Sequence, residues 1–140
     1  MIINLFYKNS MSCFWDSLIK SIQNDDLNTY FDNQNIRINP HNLATILKNV
    51  NKKTPDILWN NTELTDKMMD ENVEAIKEYD VNQVQNGYYC STCDPFLILL
   101  ADYLSISIEH NYDGNIMTYK HKKNNRYTIK ISSDRGHCWC

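Results

Sequence analysis

The sequence predicts a single α+β domain, with helices first and a small, mainly antiparallel sheet after them. Three observations carry this. Apolar residues recur at helical spacing over 13–23, 41–50 and the segment that follows Asp94-Pro95. Three strand-like stretches then follow in close succession, at 106–112, 115–120 and 126–133. Finally, 42% hydrophobic and 22% charged residues in a chain of 140 suit one globular domain, residues 1–140, able to bury its own core.

Each element has a local reason. "MIINLFY" is apolar enough for a short strand at residues 1–7. In 13–23, Phe14, Leu18 and Ile22 share a helical face that Trp15 and Ile19 widen; "NDDLN" ends it. Asn39-Pro40 opens the next helix, with Leu43, Ile46, Leu47 and Val50 at i, i+3, i+4 and i+7. "NKKTPD" reads as a loop, and residues 62–79 as one or two helices exposed on one side. After a turn at "NGYY", Asp94 caps a helix and Pro95 suits its first turn, with Leu97, Leu100, Ala101 and Leu104 as the buried stripe. Asp113-Gly114 and "KKNN" (122–125) read as hairpin turns between the three strands, and "HCWC" as a last short strand.

Bulk properties exclude several classes. A net charge of −3 gives no field for nucleic acid. No apolar run approaches the roughly 20 residues of a membrane span, and "MIINLFYK" lacks the basic start and length of a signal segment. The expectation is a cytosolic protein, or a domain of a longer one. The cysteines are Cys13, Cys90, Cys93, Cys138 and Cys140, an odd number that argues against a disulfide framework.

The chemistry centres on Cys13. A thiol at the junction of a polar turn and a helix meets unpaired N–H groups and the positive end of the macrodipole, which stabilise both a thiolate and a developing oxyanion. Of the four histidines, His41 opens a helix, His110 follows an alternating strand and His121 lies in a basic turn. His137 follows Gly136 and begins the terminal strand, which makes it the expected base. The competing site is metal: Cys90-x-x-Cys93 with Cys138-x-Cys140 offers four thiols for structural zinc, although one intervening residue is tight spacing.

Three stretches together resemble the ovarian-tumour (OTU) type of papain-like cysteine proteases: "SCFWDSLIKSI", "CSTCDPFLILLADYLSISIEHNY" and "RGHCW", in that order. The likeness covers about a third of the chain and leans toward compact viral members, such as those of arteriviruses and toroviruses. It implies a compact OTU-like fold, with N-terminal helices on a small sheet. It also implies hydrolysis, by a Cys13–His137 dyad, of the peptide or isopeptide bond after the terminal Gly-Gly of ubiquitin or an interferon-induced ubiquitin-like modifier. Ser10, Ser12 and Cys13 would form the oxyanion hole, and Phe14 and Trp139 would line the substrate channel. The acid or amide often found two residues after the histidine is Trp139 here, so Asp134, Asn9 and Asp94 are the candidates for orienting the imidazole. The resemblance further implies a monomer without cofactor or metal in the host cytoplasm, with a viral polyprotein as a second substrate. The alternatives are a zinc-stabilised binding module and a degenerate protease fold that binds without cleaving.

Overall fold

The computed structural model describes residues 13–31, 38–123 and 125–134 in full and 137–139 as backbone. The expected strand at 1–7 lies outside the described residues.

Helix α1 (Cys13–Ser21) buries Phe14, Trp15 and Leu18, the face predicted from spacing. Asp16 in its first turn and Lys20 in its last suit the macrodipole. A single helical turn at Asn24–Asp26 and a π-type turn at Leu27–Phe31 follow it. Helix α2 (Pro40–Asn49) starts where Asn39 accepts the Asn42 N–H at 2.8 Å and Pro40 takes the first position. It buries Leu43, Ala44 and Leu47.

Strands β1 (Ile57–Trp59) and β2 (Thr62–Glu63) form a hairpin; β1 falls in residues to which the sequence reading gave no element, and β2 takes the first two residues of the expected helix at 62–79. Asn60 and Asn61, both at positive φ (49° and 63°), make its turn. The predicted helix at 62–79 is therefore shorter: α3 (Asp66–Glu78), capped by Thr65, with Met69 and Ile76 inward and a polar outer face. A 3₁₀ turn at Val81–Asn86 leads into the irregular stretch before α4 (Pro95–Leu104).

Helix α4 is the centre of the molecule. Its burial extends beyond the expected stripe to every residue from Phe96 to Ala101, and to Leu104. A helix apolar on all sides needs neighbours on all sides. Here α2, α3 and strands β1, β3 and β4 surround it.

Strands β3 (Ser107–Tyr112) and β4 (Asn115–His121) form the predicted hairpin, turning at Asp113 and Gly114 with φ of 48° and 90°. Strand β5 (Thr128–Asp134) departs from the expected simple hairpin: it pairs with β3, in parallel, and β3 separates it from β4. Strands β4 and β5 are thus not joined as a hairpin, and just before β5 the Arg126 N–H donates to the Ser105 carbonyl at 3.2 Å. Strand β6 (His137–Trp139) pairs antiparallel with β5 at the sheet edge. The six-stranded order is β2-β1-β4-β3-β5-β6, antiparallel except for β3–β5. Among the described residues, no helix is long and apolar enough to cross a membrane.

Candidate functional site

Cys13 opens α1, and α1 lies against β6 and β5. The first described helix and the last described strand therefore meet, and the backbone of His137–Trp139 stands beside the helix that Cys13 begins. Cys13 itself is half-buried. Its position is fixed by the two rings that follow it. Phe14 packs on Tyr88 with centroids 4.4 Å apart, and Trp15 meets Phe96 edge-on at 4.9 Å. Both rings are buried, at 1% and 0% exposure. Phe14, expected along the substrate channel, is a core ring, and it anchors the start of the helix instead.

Asp134 ends β5 directly opposite His137 in the β5–β6 ladder and is exposed. Across an antiparallel ladder, directly opposed positions are the ones that interact. Asp94, the second orienting candidate, has its carboxylate committed elsewhere. Oδ1 accepts the Phe96 and Leu97 N–H groups at 2.9 and 3.2 Å, and Oδ2 accepts the Tyr88 hydroxyl at 2.7 Å and the Ser91 N–H at 3.2 Å. Burial pushes this carboxyl up, while those donors pull it back. Its role is to cap α4 and hold the preceding loop. The remaining expected residues, Asn9, Ser10 and Ser12, and the side chains of His137, Trp139, Cys138 and Cys140, lie outside the described residues.

A second thiol–imidazole arrangement went unseen in the sequence. The Cys90 Sγ lies 3.6 Å from His110 Nδ1, and His110 Nε2 lies 2.6 Å from Ser133 Oγ. Twenty residues and a helix separate Cys90 from His110 in the chain, so no spacing rule joins them; the period-2 alternation of β3, which turns His110 inward, was the one signal. The three resemble a nucleophile, base and orienting group, but the environment argues for structure. His110 is wholly enclosed, at 0% exposure, and both ring nitrogens are occupied. Burial lowers its pKa, which favours the neutral ring. Nearby in the chain, Cys93 is pushed up to about 11 by burial and by Asp94, the reverse of an activated thiol.

The zinc arrangement finds no support from the half that is described, since Cys90 is turned to His110. Among the described residues, the group with ligand atoms close enough to share an ion is Asp56, Asp102 and His121. Its charges are already matched: Lys52 reaches Asp102 at 3.3 Å and Lys123 reaches Asp56 at 3.4 Å. The Lys123 N–H donates to His121 Nδ1 at 3.1 Å, which leaves the proton on Nε2, the nitrogen 3.7 Å from Asp102. That cluster ties the loop before β1 to α4 and to the end of β4.

Fold and site together define an α+β domain with a half-buried thiol at the start of a helix that packs against the edge strand of a mixed sheet. Comparison with protein-family models, with curated proteins and with solved structures returned no match.

Proposed function

We propose that this chain is a thiol hydrolase of the OTU type, acting on the bond that follows the C-terminal Gly-Gly of ubiquitin or a ubiquitin-like modifier. One observation carries the reading: the helix that begins at Cys13 packs against the strand that begins at His137. A reactive thiol needs a base within reach and a place for negative charge, and the contact between these two elements supports that reading.

In this reading, the Cys13 sulfur attacks the carbonyl carbon and its proton passes to the His137 imidazole. Backbone N–H groups at the start of α1 receive the oxyanion. The imidazole returns the proton to the leaving amine, and water then hydrolyses the thioester to regenerate the thiol. Asp134, opposite His137 in the ladder, is the best-placed group to orient the ring. The compact OTU-like arrangement, the viral setting in host cytoplasm and the processing of a polyprotein belong to the same proposal and rest on the sequence resemblance.

Hydrolysis of ubiquitin–coumarin tests it. Wild type should release coumarin, and Cys13→Ala and His137→Ala should each lose about 10³-fold or more in kcat/KM. Full activity in folded Cys13→Ala would falsify the assignment.

A further inference from the structure

Cys90, His110 and Ser133 form a connected set that the Cys13 chemistry leaves unused. Cys90 lies in the loop before α4, and His110 and Ser133 stand on the paired strands β3 and β5. The sulfur is 3.6 Å from His110 Nδ1, and Nε2 is 2.6 Å from Ser133 Oγ. His110 is fully enclosed and Ser133 is 2% exposed. Cys90 is half-buried, and its chain neighbours Tyr89 and Ser91 are both exposed. The set is therefore closed at the imidazole and the hydroxyl and nearest to solvent at the thiol.

We infer that Cys90 is an oxidation site for hydrogen peroxide, with His110 as its base and Ser133 as the group that positions the ring. The contacts supply the tautomer. When Ser133 Oγ accepts the Nε2 proton, Nδ1 keeps a lone pair directed at the thiol. That nitrogen takes the S–H proton as the sulfur attacks one peroxide oxygen. An S–O bond forms and the O–O bond breaks. The departing hydroxide recovers the proton from the imidazole and leaves as water. The sulfur is oxidised by two electrons to the sulfenic acid, and the peroxide is reduced by two. Enclosure selects the reactant. The ring has no room beside it for a bulky substrate, whereas a peroxide of two heavy atoms needs only the sulfur. Burial opposes a lasting imidazolium, and this reaction charges the ring only in passing. Cys93, on the same loop, is the internal comparison. It is also half-buried, so exposure does not separate the two thiols, but burial and Asp94 push it up to about 11.

The folded protein is pulsed with hydrogen peroxide, and the remaining free thiols are alkylated and read peptide by peptide by mass spectrometry. Cys90 should lose its free thiol about 10-fold or more faster than Cys93. In urea, where the set is dispersed, the two rates should converge. Ser133→Ala should slow Cys90 about 10-fold, and Ser133→Thr, which keeps the hydroxyl, should restore the rate. His110→Gln makes the same comparison at the ring and should slow Cys90 at least as far. Equal rates for Cys90 and Cys93 in the folded protein overturn the inference, as does a rate difference that persists in urea. A folded Ser133→Ala or His110→Gln that oxidises as fast as wild type overturns it too. Each thiol is read on its own peptide, so the result stands whether or not Cys13 is a hydrolytic nucleophile.

Discussion

The His110 ring sits between the Cys90 sulfur and the Ser133 hydroxyl, edge-on to Tyr112 at 6.2 Å, closed off from solvent. Its neutrality has a cost that pH exposes. In the unfolded chain the ring protonates near pH 6.5; burial in the fold lowers that value. The stability it contributes is therefore complete above about pH 6.5 and is lost as pH falls through that value toward the folded one. Asp94 is pushed up by burial, so its linkage runs the other way and favours the fold as pH falls. Comparing wild type with His110→Gln isolates the ring. Between pH 7.5 and 5.5, urea unfolding should show wild type losing about 1 kcal/mol more than the variant. Parallel losses in the two proteins would mean that the ring is not held neutral. Asp26 has the opposite environment. Desolvation opposes its charge, but hydrogen bonds from Arg126 and Tyr127 prevail and hold its carboxyl below the usual range. That ion pair fastens the turn after α1 to the connection leading into β5.

At the scale of elements, the most consequential single cap is Asp94. Its Oδ1 accepts two N–H groups of α4, the helix around which the others pack, and its Oδ2 accepts the Tyr88 hydroxyl from the loop beside Cys13. Asp94→Ala should lower stability by about 3 kcal/mol, from the lost cap and the donors left unsatisfied in the core. Chemical denaturation measures this, and a loss below about 1 kcal/mol would contradict the role given to the cap. This helix was also the most legible in the sequence, because Asp-Pro followed by an apolar run is local information. The β3–β4 hairpin was legible for the same reason, through Asp113-Gly114. What stayed hidden was non-local or short. The parallel pairing of β5 with β3 depends on a connection whose composition looks like any polar turn. Strands β1 and β2 are too brief to show a period, although Asn60-Asn61 marks their turn. Within the candidate site, Cys13 was legible as the start of a helix. The Cys90–His110 contact depends on tertiary packing, and Phe14 reads as a channel or a core ring equally well until Tyr88 is seen upon it.

For the molecule as a whole, chain order becomes spatial order in a particular way. Helix α4 fills the middle, the sheet runs from the short β1–β2 hairpin at one edge to β6 at the other, and α1 closes on the β6 side. The helix that opens at Cys13 and the strand that begins at His137 are thereby in contact although more than a hundred residues separate them in the chain. Two half-buried thiols have different settings: Cys90 lies against the His110 ring, and Cys13 stands at a helix start. The most direct measurement is to treat the folded protein with ubiquitin carrying a C-terminal electrophile and to locate the adduct by mass spectrometry. The account predicts one adduct, on Cys13, lost in Cys13→Ala and strongly slowed in His137→Ala. An adduct on Cys90, or none on the folded protein, would contradict it.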